Sequence, residues 1–261
     1  MVLAALVLWT GESPAATLRI GGTGMGLAAM QAMGDSLAAV DADIRVEVLP
    51  SMGTPGGLAA LKAGAIDVAI AARNLTPAER AQGFAEAGCV ATALVFASSL
   101  KHAPGIARAD LPRFYAEERP TWPDGSPVKV ILRSRAGSEL PYLAAAVPGL
   151  GAAFEKAFRQ PELPVGATDQ ENAELAQKIA GSFAIATLLQ IRAERLNLRV
   201  LALDGIEPTP ATIADKTYPF AVPFCLVLPA SPLPEAIRFS EYFMSQAGRA
   251  LMRSFGTSPA D

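Results

Sequence analysis

The chain has 261 residues, of which 51% are hydrophobic and 18% are charged. This composition is that of a globular protein with a sizeable core, and it excludes a disordered chain. The net charge of −3, without any run of lysines and arginines, argues against a general nucleic-acid binder.

The first residues are typical of a secretory signal peptide. Val2–Trp9 is an apolar run that is too short to span a bilayer, and Ser13-Pro14-Ala15 offers the small residues of a cleavage site. The usual basic segment before the apolar run is missing. We therefore predict a signal peptide over residues 1–16, export of the protein, and a mature chain that starts near Ala16.

Up to residue 71 the pattern alternates between strands and helices. Hydrophobic periodicity predicts a strand over Thr17–Gly21, a helix over Leu27–Val40, a strand over Ile44–Leu49, a helix over Gly57–Ala63 and a strand over Asp67–Ala71. This βαβαβ order predicts a parallel sheet whose ligand-binding loops lie at the carboxyl ends of the strands.

Two of these strand-to-helix loops combine glycines with a hydroxyl. The loop over residues 20–26 contains Thr23, and the loop over residues 51–57 contains Thr54. Free N–H groups and partial positive charge at a helix N-terminus favour an anion. Each loop alone is explained as well by an ordinary capped turn. The two together suggest a clamp on a small oxyanion without catalysis.

The same periodicity continues through the remaining chain. It predicts strands over Val90–Ser98, Val128–Leu132, Phe183–Ala186, Leu198–Ala202 and Tyr218–Leu228, and helices over Leu111–Glu118, from Glu139, over Asn172–Ile179 and over Pro234–Phe255. Arg133–Ser138 forms a third polar loop that enters a helix, and Ala167-Thr168-Asp169 marks a fourth helix start.

The sequence offers little for catalysis or metal binding. His102 is the only histidine and lies in a loop beside Lys101, where a surface position explains it better than a general base. Asp35, Asp41 and Asp43 match no metal-loop spacing. We predict no enzyme activity, no catalytic residue, no metal and no cofactor.

Cys89 and Cys225 are the only cysteines, and their spacing is not that of a metal site. An exported protein could pair them in a disulfide. Two separate buried thiols are the interpretation that we favour.

Six segments, in their order along the chain, resemble the phosphate-type substrate-binding proteins of ABC transporters. The resemblance runs from about residue 18 to the end. The segments are Gly22–Gly26, Gly53–Gly57 with Gly64–Ala69, Asp110–Val128, Ala180–Ala186, Tyr218-Pro219 and Ser245–Leu251.

This resemblance implies the type II periplasmic binding-protein fold, an α/β architecture with two lobes. Each lobe would be a mostly parallel sheet flanked by helices, the first formed by residues 17–98 and 204–261 and the second by residues 99–203. Two hinge crossings, near Ser98 and Leu201, would join them around a ligand buried in the cleft. The implied setting is a periplasmic monomer that delivers a small anion to a membrane permease.

The resemblance also implies a set of ligand-binding residues. First-loop contacts would come from Thr23, Gly24 and the Met25 backbone, the second loop would supply the Thr54 hydroxyl and the Gly56 amide, and the second lobe would supply Arg133 and Ser138. Arg73 follows the third strand and could grip an oxyanion with two parallel bonds. A solvated charge or an interlobe salt bridge explains Arg73 equally well.

The chain departs from the family at the residues that select phosphate. Ala71-Ala72 and Ala136-Gly137 stand where phosphate binders place aspartates, and Met25 stands where a hydroxyl is common. Glu139 follows Ser138 and has three interpretations. It is a first-turn acid that stabilises the helix dipole, an acceptor for the ligand's proton, or a side chain that fills the anion pocket itself.

The function that follows is capture of phosphate or a related small oxyanion by an exported solute-binding protein of an ABC transporter. The alternative is a sensory or accessory binding module of the same fold that has lost phosphate specificity. Neither interpretation includes catalysis or binding of nucleic acid.

Overall fold

The computed structural model describes residues 15–135 and 137–260. The predicted signal peptide lies almost wholly outside these residues and therefore stays a prediction. Within the described ranges, no helix combines the length and the apolar character that a membrane crossing needs.

Strands and helices alternate along the chain. The strands are β1 Ala16–Gly22, β2 Ile44–Val48, β3 Val68–Ala71, β4 Ala85–Ser98, β5 Lys129–Val130, β6 Leu132–Arg133, β7 Val165–Gly166, β8 Ser182–Thr187, β9 Arg199–Val200, β10 Ala221–Leu228 and β11 Thr257–Pro259. The helices are α1 Leu27–Ala38, α2 Gly53–Lys62, α3 Pro77–Ala81, α4 Leu111–Ala116, α5 Glu139–Ala146, α6 Leu150–Ala157, α7 Asp169–Lys178, α8 Leu188–Ala193, α9 Pro210–Ala214, α10 Pro234–Met244 and α11 Gln246–Ser254. Short 3-10 turns, Gly24–Gly26 and Arg108–Asp110, precede α1 and α4.

One mixed sheet runs through the molecule in the order β2-β1-β3-β10-β4-β8-β5, and β9 and β11 also pair with β4. Strand β1 is parallel to β2 and β3, as the βαβαβ order predicts. Strand β10 lies antiparallel between β3 and β4. Strands β6 and β7 form a separate parallel pair. The α/β fold class predicted from the sequence is confirmed.

Strand β4 connects the two ends of the sheet. Its first part, up to Ala93, pairs with β10, and its last part, from Leu94 to Ala97, pairs with β8. The sequence predicts this strand only from Val90, because the half-exposed stretch before it, with Glu86 and Gly88, interrupts the apolar run. The strand begins five residues earlier, since β10 supplies backbone partners there.

The hydrophobic core separates into two large clusters. One contains Leu18, Met30 and Phe239, and the other is rich in aromatic rings, with Phe96 stacked on Phe183 at 5.3 Å. Tyr218 packs in the second cluster and donates its hydroxyl to the Leu94 carbonyl. The lobe boundaries at residues 98 and 203 stay a prediction.

Cys89 and Cys225 form a disulfide, so the expectation of two separate thiols is wrong. The two residues lie directly opposite each other in the β4–β10 ladder, with their Cα atoms 4.1 Å apart. The cysteines are 136 residues apart in the chain. Only the antiparallel register of two distant strands brings their side chains together.

The C-terminal helical tail is divided in two. The sequence predicts one helix over Pro234–Phe255, whereas Ser245 has extended backbone and caps α11 by accepting the Gly248 amide. A side chain at Gly248 would lie 2.2 Å from the Tyr242 carbonyl. This glycine lets the two helices meet closely. Phe239 and Phe243 of α10 are fully buried, whereas Tyr242 and Leu251 are partly buried.

Candidate ligand-binding cleft

A cleft of about 800 Å³ lies where Leu94 of β4, the last residues of β8 and the first residues of β10 meet the loops before α2, α5 and α7. Six of the eight residues that the sequence predicts to bind ligand line it: Thr23, Met25, Thr54, Arg73, Arg133 and Ser138. Gly24 and Gly56 are outside the lining, although each neighbours a residue that lines it. The structure therefore brings distant parts of the chain to one cavity.

Several helices begin at this cleft. Gly53, Glu139 and Asp169 are the first residues of α2, α5 and α7, and all three line the cavity. Thr23, before the 3-10 turn that leads into α1, lines it as well. The first N–H groups of each helix have no partner within the helix and carry partial positive charge. This arrangement favours negative charge in the cleft.

Arg133 ends strand β6 with a side chain that is 8% exposed. Its Nε donates to Glu139 Oε1 over 2.5 Å, its Nη1 to the Thr168 carbonyl over 2.7 Å, and its Nη2 to Asp169 Oδ1 over 3.1 Å. Burial alone would lower the pKa of this guanidinium, but the two carboxylates raise it above its ordinary value. These bonds use three of the five N–H groups of arginine and leave two beyond them.

Glu139 lies on Arg133 and folds back over Gly137. A side chain at Gly137 would place its Cβ 2.5 Å from both carboxylate oxygens. Glycine is therefore needed for this close approach. The Glu139 carboxylate thus forms a salt bridge with Arg133, the arginine that the resemblance assigns to the ligand. It remains a first-turn acid of α5 at the same time.

Asp169 is the cleft residue that the sequence-based site prediction missed. Its carboxylate lies against Gly24, since a side chain at Gly24 would place its Cβ 2.6 Å from Asp169 Oδ2. Burial raises the pKa of Asp169, and the charge of Glu139 raises it further, whereas Arg133 lowers it; the net direction is upward. The available signal was the Thr168-Asp169 helix start, where Thr168 caps α7.

Gln170 joins α7 to the first glycine-rich loop. Its Nε2 donates to the Gly24 carbonyl and to Glu194 Oε1, each over 2.9 Å. Gln190 Nε2 donates to the Asp169 carbonyl over 3.1 Å. Burial raises the pKa of Glu194, and the nearby charge of Asp169 acts in the same direction. We call Asp169 and Gln170 together the α7 clasp, because both contact Gly24.

The Thr54 hydroxyl is oriented by the backbone. Its Oγ1 accepts the amide of Ala72 over 2.9 Å, and the residue is 8% exposed. A hydroxyl that accepts one hydrogen bond still has its own proton to donate. Since Thr54 lines the cleft, this proton is suited to an anionic oxygen.

Arg73 lies at the edge of the cleft in a salt bridge. Its Nη1 and Nη2 donate to the two Glu79 oxygens over 2.8 and 2.7 Å. These bonds, together with hydrogen bonds from Thr76, lower the pKa of Glu79 to about 2. Glu79 also completes a capping box with Thr76 at the start of α3. Arg73 and Glu79 are only six residues apart in the chain. Their salt bridge is therefore a local one and not the interlobe bridge that the sequence left open for Arg73.

Part of the cleft lining is apolar. It is formed by Leu94, Ile185, Val222, Pro223 and the ring of Tyr142. The Tyr142 hydroxyl donates to the Ala221 carbonyl over 3.2 Å, and the residue is 37% exposed.

Among the described residues, one group has the composition of a metal site: Glu86 with Cys89 and Cys225. The disulfide removes the thiolates that a metal would need, so this group does not fit a metal ion.

Comparison with solved structures finds the same fold in several binding proteins. A Clostridium perfringens protein, described as a phosphate ABC transporter substrate-binding protein with bound phosphate, aligns at 14% identity. The TM-score is 0.77, and the match covers 94% of this chain and 100% of the other. An ABC-type phosphate transport receptor from Vibrio cholerae aligns at 15% identity, with a TM-score of 0.60 and the same coverage.

The periplasmic molybdate-binding protein of Azotobacter vinelandii aligns at 12% identity, with a TM-score of 0.61 over 94% of this chain and 100% of the other. At these identities the likeness shows the fold. Comparison with curated protein sequences finds no match. The family model of the PBP superfamily domain matches residues 10–247. The chain thus belongs to the PBP superfamily, whose fold it shares over almost its whole length.

Proposed function

We propose that this protein is an exported solute-binding protein that captures phosphate or a related small oxyanion in the cleft and delivers it to an ABC transporter. The observation that carries the proposal is the position of Arg133 among helix N-termini from separate parts of the chain. The neighbours that bind phosphate and molybdate in the same fold support it. Binding would occur without catalysis.

The cleft contains enough donors for micromolar binding. Hydroxyls of Thr23, Thr54 and Ser138 line it, and Arg133 has two N–H groups beyond those it uses internally. A hydrogen bond to a charged ligand contributes about 1.5–3 kcal/mol. Four such bonds, after the losses of association, are compatible with the roughly 8 kcal/mol of a micromolar complex.

The disulfide supports export. Cys89 and Cys225 are paired, and disulfides persist mainly in oxidising compartments such as the periplasm. We propose a periplasmic location for this reason, with the signal peptide over residues 1–16 as the route. A monomer that docks on a membrane permease completes the proposal, and size-exclusion chromatography of the mature chain tests its oligomeric state.

Titration calorimetry with phosphate, molybdate and sulfate tests the proposed function. We expect heat of binding for at least one anion at micromolar to millimolar concentration, and a rise in melting temperature by mass action. Ser138→Ala removes an exposed cleft hydroxyl, and we expect it to weaken binding about tenfold, as the loss of one charged hydrogen bond does. Ser254→Ala, at an exposed hydroxyl in α11 that is outside the cleft lining, is the matched control.

A sensory or accessory module is the second candidate, because Glu139 and Asp169 already neutralise Arg133. In that case a correctly folded protein would show no heat with any of the three anions at millimolar concentration. The same titration therefore separates the two functions.

A further inference from the structure

The cleft is much larger than a bare oxyanion. Its volume is about 800 Å³. An oxyanion of five heavy atoms replaces only a few waters, each of which takes about 30 Å³ in the liquid. Cavities of roughly 300–1,000 Å³ usually hold organic molecules of some size. The helix N-termini and Arg133 therefore account for one part of the cleft only.

The remaining part has the surface of a site for an apolar group. Its wall consists of Leu94, Ile185, Val222, Pro223 and Tyr142. Pro223 has no N–H to offer, and the Tyr142 hydroxyl is already bound to the Ala221 carbonyl. The exposed face of the tyrosine ring thus presents carbon to the cavity. An apolar ligand group would bury this surface at no loss of hydrogen bonds.

The charges around Arg133 also favour a ligand that has an apolar part. Arg133, Glu139 and Asp169 together carry one net negative charge when both acids are ionised. A small, highly charged anion meets repulsion there as well as attraction. A ligand that obtains part of its affinity from buried apolar surface depends less on this balance.

We propose that the ligand is an oxyanion with an apolar organic substituent, of the alkylphosphonate or phosphate-monoester class. Its headgroup lies at Arg133 and the helix N-termini, and its organic group lies against Tyr142, Val222 and Pro223. This inference rests on the proposed function and names the ligand class of the same cleft.

A homologous series tests the inference. The probes are inorganic phosphate and the n-alkylphosphonates from methyl to pentyl, titrated by calorimetry at one pH. Because the headgroup is the same in every phosphonate, differences report the apolar part. We expect affinity to rise roughly fourfold for each buried methylene, and to level off when the wall is covered.

Ala221→Leu narrows the apolar end, since Ala221 lines the cleft beside Val222. We expect this variant to lose the gain for butyl- and pentylphosphonate and to keep its affinity for methylphosphonate. Ala85→Leu is the matched control, because Ala85 is an exposed strand alanine that is outside the cleft lining. Its chain-length dependence should equal that of the wild type.

The possible failures are distinct. Affinity that stays constant or falls with chain length, while inorganic phosphate binds, overturns the inference and leaves the proposed function intact. A series that rises equally in Ala221→Leu and in the wild type also overturns it, because the organic group then lies elsewhere. Absence of binding by phosphate and by every phosphonate overturns the proposed function, and the inference with it.

Discussion

Arg133 is bound to Glu139 over 2.5 Å between Nε and Oε1, although sequence reasoning assigns this arginine to an external anion. Asp169 accepts from the same guanidinium over 3.1 Å. The Arg133 guanidinium is therefore already paired with two internal carboxylates. A ligand has to share the guanidinium with them or displace one.

Replacement of Arg133 tests whether this ion cluster stabilises the empty protein. Arg133→Met leaves two largely buried carboxylates without their cation, and we expect the free energy of unfolding at pH 7 to fall by about 3–5 kcal/mol. Urea denaturation without ligand measures it. Arg135→Met is the control, since its partner Glu155 and Arg135 itself are more than half exposed, and little change is expected there. Equal effects of the two substitutions would show that the cluster has no special role.

The upward pKa shift of Asp169 predicts a pH dependence. A carboxyl whose pKa is higher in the folded than in the unfolded state binds a proton more tightly when folded. The free energy of unfolding then decreases as pH rises from the ordinary value of 3.8 to the raised pKa. We expect Asp169→Asn to remove this decrease, so that its stability relative to the wild type improves with rising pH. Denaturation of both proteins from pH 4 to pH 8 measures the difference, and a constant difference contradicts the assignment.

The pKa of Glu79 is shifted in the opposite sense, so its effect on stability lies mainly at lower pH. Its pKa is lowered from 4.5 to about 2, so its stabilising contribution is present above pH 4.5 and is lost as pH falls toward 2. Most of this loss lies below pH 3.8, where the Asp169 effect begins, and the two ranges overlap only between pH 3.8 and 4.5. A denaturation series extended down to pH 2 therefore separates most of the Glu79 contribution from that of Asp169.

Thr54 offers a test of a single oriented hydroxyl. Thr54→Val preserves the shape of the side chain but leaves the Ala72 amide without its acceptor, and we expect a loss of about 1–3 kcal/mol in stability. Thr54→Ser retains the hydroxyl and should lose clearly less. Thermal or urea denaturation of the ligand-free variants gives the comparison. If the serine and valine variants were equally destabilised, the methyl group rather than the hydrogen bond would be responsible.

The disulfide should contribute strongly to stability. It closes a loop between residues 136 positions apart, and removal of a native disulfide typically lowers stability by about 2–5 kcal/mol. We expect this loss for the double variant Cys89→Ala, Cys225→Ala and for the reduced wild type. A thiol reagent should find no free thiol in the denatured, unreduced wild type. Two reactive thiols in that sample would mean that the bond is absent.

Several features of the cleft could be predicted because they are local. The glycine-rich loops with Thr23 and Thr54, and the polar loop from Arg133 to Ser138, are contiguous stretches that run into helices. Glu139 was recognised as unusual because it directly follows Ser138 in a segment that departs from the pattern of the family that the chain resembles. Short-range patterns of this kind specify helix starts and the chemistry placed on them.

The α7 clasp could not be predicted in the same way. Asp169 and Gln170 contact Gly24 across about 146 positions of the chain, and nothing near any of them in the sequence indicates the contact. The salt bridge between Arg73 and Glu79 was also not predicted, although the two residues are close in sequence. Whether two opposite charges form a salt bridge depends on the directions of their side chains as well as on their separation along the chain.

Periodicity and turn residues by themselves indicated an α/β fold, because those features act over a few residues, and the resemblance of the segment order to a known family indicated the binding-protein fold. The tertiary structure alone decided that Cys89 pairs with Cys225 and that Glu139 and Asp169 meet at Arg133. Each of these contacts depends on strand register and on the packing of elements far apart in the chain. Interactions between elements so far apart in the chain leave no local pattern in a single sequence.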